Sequence, residues 1–402
     1  MAGLKSILPA ILGRKITPTN VYRGILDLTP LRKAFVWLKP ERAITTVTPV
    51  HSEIEIVSFP CPHTPGVKYF DVLPGERGLR RVSDFGTPED KQALYERIER
   101  KHETKDYLSR AMRVVLLENV DVFLPEGTVT LNGKIVEEAC TSVRTALRPS
   151  YYLDRMRLKK FKIPGDRIFL PILHWRAYGH WTTDLLTRID TLERCPEVPK
   201  VPYLFPDNPA QFHLASLKAA GITEDQLDRR PPGRYRVERL WLPVRIMEHN
   251  NTHPKAFEWL RKRILPNVPL TRSGRRVLIS RADATWRRMV NEDALMEALA
   301  PWGFERIILG KLSWEDQVRV FAEAELVMGP HGAGMASIVY SPPNATLVEF
   351  FTPTLIDNTF VFCAHVGGLK HGVIFGEDVG RDMHIPVEKV LAILDEIGLS
   401  RA

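Results

Sequence analysis

The chain has 402 residues, of which 44% are hydrophobic and 26% charged, and it carries a formal net charge of +8. This composition is that of a globular protein, and the length exceeds what one ordinary core needs, so we expect two domains. No apolar run reaches the roughly 18 residues of a transmembrane helix. The positive charge favours an anionic partner, such as a phosphate-bearing substrate or an anionic membrane surface.

The N-terminal stretch MAGLKSILPAILGRK places leucines and isoleucines at helical spacing beside basic residues, with Pro9 interrupting them. No small-residue cleavage site follows, so the stretch is not typical of a secretory signal. Two interpretations stay open, a short helix on a membrane surface and a self-packed terminus. We expect a cytoplasmic protein, peripheral at the inner membrane face if the first interpretation holds.

Several classes of partner and cofactor lack their sequence signatures. Neither zinc-finger spacing nor an aromatic RNA-binding motif is present, so we expect no nucleic-acid partner. The cysteines form no Cys-x-x-Cys pair, which predicts a reduced chain without a disulfide framework or structural zinc. They are Cys61, Cys140, Cys195 and Cys363.

The chain divides into three segments by pattern. Residues 1–110 are irregular and proline-rich in their first part, and we predict no regular domain there. Residues 112–139 alternate in polarity around the turn signals Gly127 and Asn132-Gly133, which predicts a small antiparallel unit. From about residue 163, strand and helix candidates alternate, which predicts a parallel sheet with crossovers. They are strands at 166–173 and 201–205, and helices at 179–194 and 209–221.

The last third repeats this alternation more clearly. Such βαβ units predict a second Rossmann-like sheet, with a ligand site beyond the carboxyl ends of its strands. The predicted fold is therefore α/β, with two Rossmann-like domains at 111–265 and 266–402 that face a cleft, and a small N-terminal antiparallel β unit. The predicted elements are strands at 275–280, 304–310, 326–329 and 346–351, and helices at 291–303, 313–325 and from 335 onward.

The stretch GPHGAGMASIVYSPPNATLVEFF, residues 329–351, lies between two of these strands. Gly332 and Gly334 lack a Cβ, so a ligand could approach the backbone closely. The first amides of a helix face an anion favourably, and His331 can donate a hydrogen bond to a phosphoryl oxygen. The stretch therefore predicts a diphosphate cradle built from His331 and the amides of Gly332, Ala333 and Gly334.

Glu349 lies in the apolar run that ends this stretch, where an unpaired carboxylate would be costly. One partner that fits is the pair of vicinal hydroxyls of a ribose, and a salt bridge is the alternative. The dinucleotide fingerprint G-x-G-x-x-G and the P-loop are absent, which argues against a nicotinamide enzyme or an NTPase.

The same stretch resembles the signature of glycosyltransferase family 61, a G-x-H-G-A-G segment followed by a proline-containing loop and a strand with a glutamate. LISRADATWRRMVNE (278–292) resembles the family's Ser-Arg segment, and GHWTTDLL (179–186) resembles its His-Trp helix. The resemblance covers roughly residues 112–380. It implies a GT-B type fold, an inverting reaction, a UDP-sugar donor held by residues 266–402, an acceptor-side domain at 111–265, and no metal or other cofactor. The sequence contains no Asp-x-Asp motif, which agrees with a metal-independent reaction.

Without a metal, cationic side chains must neutralise the departing diphosphate. Arg281 follows a predicted strand directly, and we assign it to the diphosphate together with His331. Arg287 and Arg288 are possible donor-binding residues, and a surface pair before the helix is the alternative.

An inverting transfer also needs one general base. His180 and Asp184 are four residues apart and would share a helix face. The base is then either Asp184 itself or His180 oriented by Asp184, and the alternative is a packed histidine beside a solvated aspartate. We do not interpret His365 and His371 as a metal pair, because a Gly-Gly loop separates them without a third ligand.

The sequence therefore predicts an inverting glycosyltransferase that acts on a capsule, exopolysaccharide or lipopolysaccharide glycan, free or lipid-linked. The alternative is a non-catalytic protein of polysaccharide biosynthesis that binds a nucleotide sugar or serves assembly.

Overall fold

The computed structural model describes residues 65–79, 83–101, 106–136, 158–170, 176–246 and 252–401. The N-terminal amphipathic stretch, Cys61 and Cys140 lie outside these residues. Among the helices that are described, none combines the length and apolar character needed to cross a membrane.

Seventeen strands are described, and they form two large sheets and two small two-stranded sheets. They are β1 (Val67–Leu73), β2 (Arg77–Leu79), β3 (Asp106–Leu108), β4 (Met112–Leu124), β5 (Thr128–Leu131), β6 (Lys134–Ile135), β7 (Lys160–Ile168), β8 (Tyr203–Pro206), β9 (Leu227–Arg230), β10 (Gly233–Pro243), β11 (Arg275–Ser280), β12 (Glu305–Ile308), β13 (Ala324–Pro330), β14 (Thr346–Phe351), β15 (Lys370–Phe375), β16 (Glu377–Val379) and β17 (Asp382–His384).

The helices connect these strands. They are α1 (Pro88–Lys101), α2 (Tyr178–His180), α3 (Arg188–Glu193), α4 (Gln211–Ala219), α5 (Pro254–Ile264), α6 (Glu292–Leu299), α7 (Trp314–Ala322), α8 (Thr359–Val366) and α9 (Val387–Ile397). A π-helical turn, Trp181–Leu185, joins α2 towards α3, and a 3-10 helix, Ala333–Tyr340, lies between β13 and β14.

The first large sheet is mixed. Its strands follow the order β6-β5-β4-β10-β7-β8-β9, and β1 also pairs with β4. The predicted antiparallel unit is present, because β4, β5 and β6 form an antiparallel meander. The strands β10, β7, β8 and β9 pair in parallel, but β10 lies antiparallel to β4. The parallel pairing predicted from about residue 163 onward is therefore present, but the antiparallel contact between β10 and β4 makes the sheet as a whole mixed, unlike a Rossmann-like sheet.

The second large sheet is wholly parallel, with the order β12-β11-β13-β14-β15. Strand β11 comes first in the chain and lies between β12 and β13. Successive strands are therefore added on opposite sides of β11, which is the doubly wound arrangement of the flavodoxin type. The crevice where the winding reverses lies between the carboxyl ends of β11 and β13, and ligands bind there in open α/β sheets.

One apolar core joins the two sheets. It contains Leu116 and Trp241 from the first sheet and Ile279 and Val327 from the second. Arg261 of α5 adds polar contacts, because its Nε donates to the carbonyl of Val339 at 3.0 Å and its Nη2 to that of Gly367 at 2.8 Å. The two predicted domains therefore pack against each other through shared hydrophobic burial.

Residues 83–101 differ from the irregular region predicted for residues 1–110. Phe85 pairs with Gly372 beside β15, and Leu94 of α1 packs with Phe351 and Val373 of the second sheet. The carboxylate of Asp90 accepts a hydrogen bond from the amide of Phe375 at 3.0 Å. This N-terminal segment is thus part of the packing around the C-terminal sheet.

Candidate functional site

The crevice between β11 and β13 brings two predicted site residues together. Arg281 follows the last residue of β11, and His331 follows the last residue of β13. The two strands are hydrogen-bonded neighbours and run in parallel. Their carboxyl ends therefore meet at one edge of the sheet, where the sequence predicted the ligand.

The glycines of the HGAG stretch have a different use from the one predicted. Gly332 has extended backbone angles that any residue adopts, and a Cβ there would collide with the guanidinium of Arg281. A Cβ on Gly334 would lie 2.7 Å from Cδ1 of Leu309. In this structure, the missing side chains therefore make room for Arg281 and Leu309. The 3-10 helix that begins at Ala333 still presents its first amides at this edge, since the first turn of a helix lacks internal acceptors.

Arg281 and Arg287 concentrate positive charge beside this loop. Arg287 donates from Nη1 to the carbonyl of His331 at 2.9 Å. Burial lowers the pKa of both arginines, and repulsion from Arg287 lowers the pKa of Arg281 further. Within the described parts of the chain, neither guanidinium forms an ion pair. A bound anion would therefore relieve an unfavourable concentration of charge.

The backbone at Arg287 supports the same conclusion. Its φ is +60°, in the left-handed region that non-glycine residues rarely adopt. Its amide donates to the carbonyl of Arg381 at 2.7 Å, which holds the residue in this conformation. Such strained residues are enriched at ligand sites.

Arg288 is held by a different partner. Its Nε and Nη2 donate to Oδ2 of Asp382 at 3.0 and 2.6 Å, and its amide donates to Oδ1 at 3.0 Å. The guanidinium of Arg288 is therefore already engaged in an ion pair with Asp382. Of the two possible donor-binding arginines, the structure favours Arg287.

Glu349 lies at the centre of a buried row of hydrogen bonds. Its Oε1 accepts from Nδ1 of His331 at 2.8 Å, and its Oε2 accepts from Nε2 of His371 at 3.0 Å. Nδ1 of His371 in turn lies 2.7 Å from Oγ of Ser83. Burial opposes ionisation of Glu349, but the hydrogen bonds from both histidines outweigh it and lower the pKa of this carboxyl. Hydrogen bonds to two histidines therefore account for both oxygens of Glu349, and each contact is a salt bridge only where the histidine is protonated.

A ribose contact would need different access to this carboxylate. Glu349 has no solvent-exposed surface, and each of its oxygens already has a histidine partner. The predicted contact between Glu349 and ribose stays a prediction. His371 lies in the core. Among the described residues, no group of three or more histidine, cysteine, aspartate or glutamate side chains is arranged to hold a metal ion.

The two candidate bases lie in different environments. His180 is exposed, whereas Asp184 lies in the π-helical turn and is 1% exposed. Oδ1 of Asp184 accepts from Nη2 of the fully buried Arg188 at 2.8 Å, and its Oδ2 lies 3.3 Å from Nε of Arg245. Asp184 therefore serves as the counterion of two arginines in this structure. Its predicted role as a base or as an orienting group for His180 stays a prediction.

Helix α2 lies directly against the HGAG loop. A Cβ built on Gly179 would be 3.8 Å from Cα of Ala333, and Oη of Tyr178 lies 2.6 Å from Oγ of Ser337. His180 follows Gly179 in the chain. The predicted acceptor-side segment and the predicted donor cradle therefore meet in space.

Three residues of the site were not predicted as functional. Ser83 and His371 complete the hydrogen-bonded row, but Ser83 lies 288 positions from His371 and His371 lies 22 positions from Glu349 on another strand, so only the fold reveals these contacts. Arg188 could have been found, because it follows Asp184 at the i+4 spacing that pairs charges on a helix.

Comparison with known proteins gives two matches. Residues 178–348 match the sequence model of the family described as Glycosyltransferase 61. The chain is also 26% identical over 124 residues to a protein named Beta-1,2-xylosyltransferase from Arabidopsis thaliana, an alignment that covers 28% of this chain and 23% of that relative. The chain thus spans less than a quarter of the curated relative's length. The two matches support the prediction of a glycosyltransferase of family 61.

We predict that Asp184→Asn destabilises the fold by about 3 to 5 kcal/mol, because it leaves Arg188 buried without a full counter-charge. Chemical denaturation, followed by fluorescence of the buried tryptophans, measures the free energy of unfolding.

Asp190→Asn is the matched control. Asp190 is equally buried and pairs with the arginine four residues later, but that arginine, Arg194, is 40% exposed. Burial raises the pKa of Asp190, partly offset by Arg194, so the charged form contributes little and the control should lose less than about 1 kcal/mol. Equal losses in the two variants would contradict the structural role of Asp184.

Proposed function

We propose, from the family 61 match and the cationic edge of the second sheet, that this chain is an inverting, metal-independent glycosyltransferase. It would transfer a sugar from a UDP-sugar to a glycan acceptor. The observation that carries the proposal is the convergence of Arg281, Arg287 and His331 at the crevice between β11 and β13. The matches support the class of enzyme, and the donor, acceptor and stereochemistry are proposed here.

The donor's diphosphate is the ligand that this edge suits best. Two arginines without ion-pair partners among the described residues can bind phosphoryl oxygens through charge-assisted hydrogen bonds. The amides of the 3-10 helix at Ala333 and Gly334 add donors for the same charge. As the sugar–phosphate bond breaks, negative charge grows on the departing diphosphate, and these preorganised cations would stabilise it. This is the role that a divalent ion serves in enzymes with an Asp-x-Asp motif.

The acceptor hydroxyl must lose its proton during transfer. Of the two predicted bases, His180 is better placed for this task. It is exposed and adjoins Gly179, which lies against Ala333 of the cradle. Asp184 would first have to leave Arg188 and Arg245. We therefore assign His180 as the base and Asp184 as the counterion that stabilises the helix start behind it.

The acceptor is proposed to be a growing capsule, exopolysaccharide or lipopolysaccharide glycan. The net charge of +8 suits an anionic glycan or a glycan on a lipid diphosphate. Peripheral contact with a membrane would bring the enzyme to a lipid-linked acceptor, and the cytoplasm would supply the nucleotide sugar.

One observation favours a second candidate function, a nucleotide-sugar-binding protein without turnover. Asp184, one of the two predicted bases, is buried and paired with arginines instead of being open to an acceptor. Such a protein would bind UDP at the same edge, and substitutions at His180 would change nothing. Turnover therefore separates the two candidates, whereas UDP affinity does not.

The first test is calorimetric titration with UDP, GDP, CMP and NAD in the presence of a chelator. We expect UDP to bind most tightly, with no change when chelator is replaced by manganese. Absence of binding by all four nucleotides would reject the donor site, and binding that requires manganese would reject the metal-independent reaction.

We predict that Gly332→Ala weakens UDP binding by about tenfold or more without loss of stability. The backbone angles of Gly332 suit alanine, so the added methyl group acts by displacing the guanidinium of Arg281, whose charged hydrogen bond to phosphate contributes about 1.5 to 3 kcal/mol.

Gly179→Ala is the matched control, since its nearest neighbour, Cα of Ala333, lies at an ordinary contact distance of 3.8 Å. UDP titration and thermal unfolding should find this control unchanged. Full UDP affinity in Gly332→Ala would show that Arg281 does not bind the diphosphate.

We predict that His180→Gln keeps UDP affinity and lowers turnover by about 100-fold or more, the usual contribution of a general base. Turnover is measured as UDP release from UDP-xylose, UDP-N-acetylglucosamine and UDP-arabinose with a panel of glycan acceptors. If wild-type protein turns over a donor and the variant does so at the same rate, His180 is not the base.

A further inference from the structure

We propose that Glu349 is a positioning residue, which fixes the ring of His331 so that His331 meets the donor's diphosphate as an imidazolium. His371 and Ser83 hold Glu349 in place from behind. This inference rests on the proposed donor site, and it replaces a direct contact between Glu349 and ribose.

The members of this hydrogen-bonded row differ in burial. Glu349 and His371 have no exposed side-chain surface, whereas the side chain of His331 keeps 11% of its surface exposed. The row of hydrogen bonds therefore has its two fully buried members, His371 and Glu349, in the middle, and its ends are Ser83 and His331. Of the two ends, His331 is the one that follows β13 and contacts Arg287 at the proposed donor site.

Two aromatic rings pack near the imidazole of His331, in addition to the hydrogen bond at Nδ1. Its centroid lies 5.4 Å from that of Phe351 and 5.1 Å from that of Phe360. With both aromatic contacts and the bond to Glu349 in place, the ring has a fixed plane. Nε2 is then the ring nitrogen left for a ligand.

The protonation of the ring follows from its partner. An ionised carboxylate is an acceptor only, so each imidazole nitrogen that faces Glu349 must carry a hydrogen. His331 therefore has its hydrogen on Nδ1, and in the neutral ring Nε2 is an acceptor. A phosphoryl oxygen is also an acceptor. His331 can donate to it only as the imidazolium, after Nε2 takes up a proton from solvent.

The other charged groups around His331 set the balance of positive and negative charge at the ring, and a bound ligand would change it. Arg287 donates to its carbonyl, and Arg281 lies over the next residue, Gly332. Both arginines oppose a further positive charge. Asp357 interacts electrostatically with Arg287, and Glu349 bonds the ring itself. A diphosphate would add negative charge on the side of the arginines, so binding of the ligand and protonation of His331 should be coupled.

The ring tautomers are measured first, in the wild-type protein without ligand. Nitrogen-15 NMR of the histidine rings at pH 8, with the signal of His331 assigned by His331→Asn, reports which nitrogen carries hydrogen. We expect hydrogen on Nδ1 of His331 and on Nε2 of His371. The opposite tautomer of His331 would overturn the proposal, whether or not the protein binds any nucleotide.

Proton uptake is measured next, by UDP titration at pH 8 in buffers of different ionisation enthalpy. We expect up to one proton to be taken up per UDP bound. Binding without proton uptake would overturn the imidazolium step. Failure of the wild-type protein to bind UDP would reject the proposed donor site, and the tautomers would still decide whether Glu349 positions His331.

Substitution of Glu349 distinguishes a positioning role from a direct contact with the ribose. Glu349→Gln should weaken UDP and 2′-deoxy-UDP by the same factor, about tenfold or more, and should abolish proton uptake. A loss confined to UDP would show that Glu349 binds the 2′-hydroxyl and would overturn the proposal.

Glu323→Gln is the matched control, because Glu323 is a buried glutamate as Glu349 is. Its partner is an arginine, Arg275, and it lies at the opposite end of β13 from the proposed site. It should change neither affinity nor proton uptake. If Glu349→Gln does not fold, the tautomers and the proton uptake of the wild-type protein remain the deciding measurements.

Discussion

The ionised carboxylate of Glu349 is the constraint around which the carboxyl edge of the second sheet is built. It lies in β14, where it pairs in register with Gly329 of β13 and Val373 of β15, and it has no access to water. A charge in such a place is tolerated only with good hydrogen-bond partners. Those partners come from the two flanking strands, because His331 follows β13 and His371 lies in β15. The side chains thus link the same strands that the backbone ladder joins.

In the described part of the chain, positive charge is balanced by an ion pair on one side of the site and by none on the other. Near α2, Arg188 is fully buried and its charge is balanced by Asp184, so the pair stabilises the fold and has little left to offer a ligand. At the sheet edge, burial lowers the pKa of Arg281 and Arg287, and the described residues supply no ion pair for either. Asp283 and Asp357 offset these two charges only in part, so the free protein loses stability that a bound anion would restore. This difference in balance, more than the number of arginines, indicates where an anion would bind.

Local patterns allowed part of this to be predicted. The strands 275–280 and 346–351 appear as predicted, and Ser313 caps α7 by accepting from the amide of Asp316 at 3.1 Å. These features depend on neighbours in sequence. The contacts of the glycines could not be predicted, because a missing Cβ shows that something comes close but not what it is. Only the adjacency of β11 and β13 identifies Arg281 as the neighbour of Gly332.

The same reasoning explains the other differences. The partners of Glu349 depend on strand order, and the packing of α1 on the second sheet depends on contacts such as Asp90 to Phe375, 285 positions apart in the chain. In the first sheet, β7 and β8 pair in parallel as the alternation of strands and helices predicted, but no local pattern showed that the long strand β4 would lie antiparallel beside β10. Periodicity describes one element at a time, and it does not decide which elements become neighbours.

The π-helical turn contains Asp184 and directly follows His180, the two residues that the sequence placed on one helix face. The amide of Leu186 donates to the carbonyl of Trp181, five residues earlier, at 2.9 Å, which widens the helix relative to an α-helical turn. The hydroxyl of Thr183 donates to the carbonyl of Gly179 at 2.9 Å and that of Thr187 to the carbonyl of Asp184 at 2.8 Å, so backbone groups at the irregular turn keep partners.

Asp184 and His180 lie in different environments because of their places along the segment. His180 is at the exposed end of α2, near the loop that carries Gly332, whereas Asp184 faces Arg188 in the core. Residues four apart stay close to one face in a π-helical turn much as in an α-helix, so the helix face does not explain the difference. The segment instead puts a residue that stabilises the fold directly behind an exposed one. π-helical turns are frequent at functional sites, and this arrangement agrees with the roles proposed for the two residues.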